Sequence, residues 1–139
     1  MAESQVAGRL VCVWIPGDHL VVRLPSDDSM PAWTIRPAGH PGCFSVTQRG
    51  TERSVCCPAE FVPAGVECIG PYRALEVQSI GSQAVPLPSN LIGLLARMTT
   101  TLADQGIPVL AISTFETDVL LVPCAHAGSA SVALGMAQP

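Results

Sequence analysis

The residues in this 139-residue sequence that could do covalent chemistry are few: six cysteines, three histidines and one strand-end serine. Cys56, Cys57 and Ser113 are the candidate nucleophiles, and His19, His40 and His126 the candidate bases. None stands in a recognisable nucleophile turn. Gly39-His40-Pro41-Gly42 is the most suggestive stretch, yet it reads as a turn, and each histidine has a plain loop or helix-end place. Cys12, Cys43, Cys56, Cys57, Cys68 and Cys124 show no regular spacing, form no C-x-x-C pair and have no histidine at zinc-ligand distance in sequence. On a strand, the adjacent Cys56 and Cys57 point to opposite faces. Buried thiols acting as small hydrophobes are the expectation, and a metal or redox role is the minor alternative. No G-x-G-x-x-G follows a strand and no lysine loop cradles phosphate, so no cofactor is expected. Catalysis is the weaker class.

Composition narrows the field further. Hydrophobic residues make up 48% of the chain and charged ones 13%, with the apolar residues in short runs. Such a chain folds as one compact unit, or as two small ones sharing a core. No run is long enough to span a bilayer. Met1 to Gly8 carries one acid and no basic cluster before an apolar run, unlike a signal peptide, so a cytoplasmic location is expected. The net charge of −4 sets eleven acids against seven arginines, with no lysine. Arg9, Arg23, Arg36, Arg49, Arg53, Arg73 and Arg97 are scattered singly, whereas phosphate-binding surfaces cluster positive charge. Neither nucleic acid nor membrane is an expected partner.

Periodicity and breakers predict the elements. Leu10 to Ile15 is a strand ended by Pro16-Gly17-Asp18, and Leu20 to Leu24 a second one stopped by Pro25. Asp27, Asp28 and Ser29 offer N-caps before Pro31, which suits a short helix over Pro31 to Ile35. Strands follow at Cys43 to Gln48 and Arg53 to Cys57, around a turn holding Gly50. One helical turn is expected at Ala59 to Phe61, then a strand over Tyr72 to Ile80. Ser89 caps a predicted helix from Asn90 to Gln105, stopped at Gly106, whose Leu91, Leu94, Leu95, Met98 and Leu102 share one face. Strands at Ile107 to Thr114 and Asp118 to Val122, and a closing helix over His126 to Met136, complete a set with seven strands.

The last two strands are apolar on both faces, with Ile107, Val109 and Ala111 on one and Leu110 and Ile112 on the other. Something must cover the second face, either the other half of the chain or a second subunit, and a homodimer is expected. A faint repeat accompanies this. Phe44-Ser45-Val46-Thr47, a turn and Thr51-Glu52 resembles Leu110-Ala111-Ile112-Ser113, a turn and Thr117-Asp118. A β-α-β-β-α-β pattern occurring twice is the ferredoxin-like split unit, an α+β class.

The segment Ile112-Ser113-Thr114-Phe115-Glu116-Thr117-Asp118-Val119-Leu120-Leu121-Val122 resembles the most characteristic stretch of the CASTOR-type ACT domains. These are small tandem ACT proteins related to the regulatory part of aspartate kinases and to animal arginine sensors. The preceding helix, with Gly93 in its first turn and Leu102-Ala103-Asp104-Gln105-Gly106-Ile107 at its end, is similar too. So are Val22-Arg23-Leu24, Met30-Pro31-Ala32-Trp33 and Phe44-Ser45-Val46-Thr47, followed by a hairpin acid at Glu52. The resemblance covers most of positions 10 to 136. It implies two ACT-like βαββαβ units in tandem, residues 1–72 and 73–139, with strand exchange: residues 10–15 would complete the second sheet. Two full units need eight strands, one more than the seven predicted.

The resemblance also implies a non-catalytic regulatory protein that binds a small molecule, an amino acid. A ligand carboxylate wants the N–H groups of a helix start, and its ammonium a carboxylate or carbonyls. Ser89, Asn90, Leu91, Ile92 and Gly93 form such a start, and Asp118 could meet the ammonium. Gly93 has a second explanation in tight helix packing, and Asp118 one in turn chemistry. Thr114 and Phe115 match family positions near the ligand. In the arginine-sensing branch an acid stands two residues before the helix glycine; here that residue is Leu91, which cannot pair with a guanidinium. A small or apolar amino acid is therefore expected. The alternative is a protein–protein interaction module without a metabolite.

Overall fold

The computed structural model describes residues 9–27, 29–80 and 92–139. Its strands are β1 (Arg9–Pro25), β2 (Ser45–Arg49), β3 (Glu52–Pro58), β4 (Cys68–Ile80), β5 (Leu110–Ser113) and β6 (Asp118–Pro123). Its α-helices are α1 (Leu94–Asp104) and α2 (Ala127–Leu134), and single 3-10 turns stand at Ala32–Thr34, Ala59–Phe61 and Cys124–His126. The chain divides into two compact units, residues 15–74 and residues 1–14 with 75–139. β1 and β4 each give residues to both.

The largest departure from expectation is β1. Leu10 to Ile15 and Leu20 to Leu24 belong to one strand of 17 residues, which runs through Pro16-Gly17-Asp18. Those residues look like a stop, but Gly17 takes a φ of 89°. A glycine in that region lets a strand bend without ending. Leu10 to Ile15 thus cannot fold back on Leu20 to Leu24, and the described residues hold six strands, not seven.

Within residues 15–74 the strand order is β2-β3-β1-β4. β3 pairs antiparallel with β1 from His19↔Pro58 to Pro25↔Glu52, and with β2 from Ser45↔Cys56 to Arg49↔Glu52. Alternation sends Val22, Val55 and Cys57 to one face, buried against Met30, Trp33, Phe44, Val62 and Val66. The helix expected over Pro31 to Ile35 is only a 3-10 turn, and no side chain among the described residues caps its start at Pro31. Thr34 closes it instead, its hydroxyl donating to the Pro31 carbonyl at 2.6 Å. Irregular segments, not α-helices, cover this core.

Within the other unit the order is β1-β4-β6-β5, with β5 and β6 antiparallel from Leu110↔Leu121 to Ser113↔Asp118. Its core joins Leu75, Val77, Met98, Leu102, Ile107, Leu120, Val122 and Ala130. Met98 and Leu102, four apart, set the inward face of α1. Cys12 and Trp14 of β1 pack on this same core. The Trp14 indole Nε1–H donates to Ser131 Oγ at 2.9 Å and to the Ala137 carbonyl at 3.2 Å, which satisfies the buried end of α2.

Both helices end in the same way. Ile107 N–H donates to Leu102 O and Gly106 N–H to Ala103 O; Met136 N–H donates to Ser131 O and Gly135 N–H to Val132 O. These are Schellman closures, with Gly106 at φ 70° and Gly135 at φ 66°. β6 is buried on both faces, Val119 and Leu121 as well as Leu120 and Val122. β5 is not: it begins at Leu110 rather than Ile107, and Leu110 is 39% exposed. The doubly apolar pattern is thus covered on β6 and left open at the end strand. No helix among the described residues is long and apolar enough to cross a membrane.

Candidate ligand-binding site

Ser89, Asn90 and Leu91 lie outside the described residues. Ile92 and Gly93 form the turn before α1, so the helix starts at Leu94 and Gly93 precedes its first turn. Its φ of 80° and ψ of 4° are left-handed. A Cβ on Gly93 would meet nothing within 4 Å. Tight packing therefore does not account for this glycine among the described residues, whereas backbone conformation does. Its carbonyl accepts the Arg97 N–H at 2.9 Å, and no side chain among the described residues caps the helix. The N–H groups of that first turn form the positive end of the helix dipole, which suits an anionic group.

The β5–β6 turn is more tightly built. Thr114 N–H and Oγ1–H both donate to the Thr117 carbonyl, at 2.7 and 2.9 Å. Its hydroxyl also accepts the N–H groups of Glu116 and Thr117, at 3.2 and 3.1 Å. Thr114 is thereby committed to the turn, a side-chain mimic of backbone structure. Thr117 Oγ1–H donates to the Val77 carbonyl at 3.0 Å and ties the turn to β4. Ser113 Oγ–H donates to Asp118 Oδ1 at 2.7 Å, which orients a half-buried carboxylate at the start of β6. Phe115, at the tip, is 92% exposed. The hairpin brings Thr114, Phe115 and Asp118 together. No described hydrogen bond or ion pair joins them to Ile92 or Gly93.

The β2–β3 hairpin of residues 15–74 has a parallel arrangement. Ser54 Oγ–H donates to Glu52 Oε1 at 2.8 Å, and Arg49 Nη2 lies 2.6 Å from Glu52 Oε2. The Ser54 hydroxyl, and after it the Arg49 guanidinium, hold the Glu52 carboxyl below the usual range. Beside it lies a cavity of about 300 Å³ whose lining includes Val21, Arg23, Glu52, Ser54, Glu67 and Ile69. Arg23 and Glu67 stand 3.6 Å apart, both largely exposed, so that ion pair contributes little. Arg23 and Glu52 carry the family resemblance, but Glu67 was missed. It arrives from an irregular, proline-containing segment and is placed by its backbone, whose carbonyl accepts the Arg23 N–H at 3.0 Å. No local pattern marks such a residue.

Four of the candidate catalytic residues are otherwise engaged. His19 is fully buried; its Nε2 accepts the Cys43 N–H at 3.0 Å, which leaves Nδ1–H to donate to the Gly17 carbonyl at 3.0 Å. Burial first, then the nearby Arg73 charge, lower its pKa. In His40, Nδ1 accepts the Gly42 N–H, so Nε2–H donates to Glu60 at 2.8 Å. Phe44 and Phe61 meet that ring edge-on. Cys57 is enclosed in the core, and burial pushes its thiol up to about 11. Ser113 holds Asp118 with no histidine bonded to it among the described residues. No cluster of three or more His, Cys, Asp or Glu among those residues could hold a metal.

Residues 70–135 match the ACT domain family. No curated protein matches the chain. Among solved structures, it is similar to protein Atu0741 of Agrobacterium tumefaciens, at 23% identity and a TM-score of 0.77, over 93% of this chain and 89% of that one. A Vibrio cholerae protein of unknown function, described as a possible transport protein, matches at 19% identity and a TM-score of 0.69, over 91% and 88%. The ligand-free regulatory subunit of aspartate kinase from Thermus thermophilus matches at 13% identity and 0.56, over 93% and 97%. Residues 70–135, from β4 to α2, thus match the ACT domain, and nearly the whole chain shares the fold of an aspartate kinase regulatory subunit.

Proposed function

We propose that this chain is a non-catalytic regulatory protein of two ACT-like halves that binds an amino acid. The ligand carboxylate sits on the first turn of α1, where Ser89 to Gly93 lead in, and its ammonium meets Asp118. The observation that carries this reading is the Asp118 carboxylate, oriented by Ser113 in a hairpin held rigid by Thr114 and Thr117. That hairpin lies inside the ACT-matched segment. The ligand's side chain is small or apolar, since Leu91 offers nothing to a cation. Strand exchange by residues 10–15 is part of the proposal, supported by Cys12 and Trp14 packing with α1 and α2. So are a homodimer and a cytoplasmic location.

Thermal-shift screening of the full chain against an amino-acid panel tests the reading. A small or apolar amino acid is expected to raise the melting temperature most, and Asp118→Asn to abolish that rise while the unliganded melting point stays close to wild type. Stabilisation by arginine above all others would overturn the ligand class. A panel with no effect at all favours the second reading, a protein interaction module. That reading has its own support in Phe115, Ile92 and Val132, exposed by 92%, 89% and 76%.

A further inference from the structure

Two thiols away from that site are paired in a way that neither the fold nor an amino-acid ligand uses. Cys56 lies in the middle of β3, opposite Ser45 of β2 and Val21 of β1. Cys43 comes two residues before Ser45, and its backbone is fixed against β1 by the bond from its N–H to His19 Nε2. The Cys56 thiol hydrogen-bonds the Cys43 sulfur; that bond, ahead of burial, raises the Cys56 pKa. Cys56 is 4% exposed, whereas Cys43 is only half-buried and open to a small oxidant. Cys57 is excluded as the partner by alternation, because its side chain enters the opposite, apolar face. All six cysteines are thiols in this structure.

We propose that Cys43 and Cys56 form an oxidative modification site, a reversible disulfide that locks the segment leading into β2 onto β3. The chemistry uses hydrogen peroxide as the oxidant. The Cys43 sulfur, as thiolate, attacks one peroxide oxygen; the O–O bond breaks, and the leaving hydroxide takes a proton to become water. Cys43 is now a sulfenic acid. The Cys56 sulfur attacks the Cys43 sulfur, the S–O bond breaks, and the Cys56 proton departs with the hydroxide as a second water. The thiols lose two electrons and two protons in total, and peroxide is reduced to water. The order of events follows exposure: half-buried Cys43 meets the oxidant first, and the buried Cys56 beside it resolves the sulfenic acid.

The test is disulfide mapping of the full chain after peroxide treatment and alkylation. Trypsin cuts after Arg49 and Arg53, so a bond between Cys43 and Cys56 joins two separate peptides. The expected result is loss of alkylation at both positions and a linked pair that dithiothreitol separates. The link should survive in Cys57→Ser and Cys68→Ser and vanish in Cys56→Ser. The oxidised chain should also melt at a higher temperature than the reduced one, because the bond closes a loop that the unfolded chain would otherwise leave open. Full alkylation of Cys43 and Cys56 while exposed Cys68 oxidises, or a link that moves to Cys57 or Cys68, would overturn the proposal. The wild-type map decides the matter even if Cys56→Ser folds poorly.

Discussion

At the scale of single residues, His19 and His40, which looked reactive in the sequence, turn out to hold backbone. His19 shows why. Spacing alone cannot reveal that the carbonyl of Gly17 and the N–H of Cys43 would take both ring nitrogens, because Cys43 arrives from 24 residues away. A protonated ring would turn an N–H toward the Cys43 N–H and carry charge into a buried place. With its folded pKa below the unfolded value of about 6.5, His19 is neutral in both states at higher pH, where its contribution to stability is complete. As the pH falls from about 6.5 toward the folded value, the unfolded chain takes the proton first and stability is lost. Urea denaturation from pH 7.5 to 5 should show this loss in wild type and a shallower slope in His19→Gln; parallel slopes would refute it. Trp14→Phe keeps the ring packing but removes the donor to Ser131 and Ala137. Its expected cost is about 1–2 kcal/mol, read from the same denaturation curves.

At the scale of elements, the sequence was most legible where a periodic run met a glycine. The end of α1 is an example: Leu102 to Ile107 places a buried leucine, a left-handed Gly106 and a buried isoleucine in the order a Schellman closure needs. Gly106→Ala should cost about 1 kcal/mol, since the methyl group must take a positive φ. The hairpin around Gly50 was legible for the same reason, and the one at Thr114–Thr117, which has no glycine, from the two apolar runs that flank it. Pro16-Gly17-Asp18 misled because a local stop signal cannot show that β1 lies between β3 and β4 in the sheet. The helix over Pro31 to Ile35 failed differently. Pro37 leaves too little chain for a full α-turn register to propagate, and nothing from Asp27 or Ser29 caps its start. Gly42 has a role no turn pattern announces: a Cβ there would collide with the Pro58 ring and press on His40. Gly42→Ala should destabilise by about 1–3 kcal/mol through overpacking, measured as a lowered melting temperature; an unchanged one would mean that the loop yields freely.

At the scale of the whole molecule, the ACT-like character was visible in the sequence chiefly through the β5–β6 hairpin and α1, which lie in the segment that matches the family. Residues 15–74 were harder to read: the single turn expected at Ala59 to Phe61 is there, but a 3-10 turn stands where a helix was expected over Pro31 to Ile35. The candidate site was legible in part. Asp118 and Gly93 were singled out, but the Ser113 contact, the commitment of Thr114 to its turn and the Glu67 side of the cavity beside Glu52 depend on side-chain geometry that spacing does not encode. The central claim is that this fold receives an amino acid between the start of α1 and the β5–β6 hairpin. Amide chemical-shift mapping of the isotope-labelled full chain, titrated with the amino acid that stabilises it most, tests this directly. Saturable shifts centred on Ile92 to Leu95 and on Thr114 to Asp118 are the predicted result. Shifts confined to the Arg23–Glu52–Glu67 cavity, or none at saturating ligand, would contradict it.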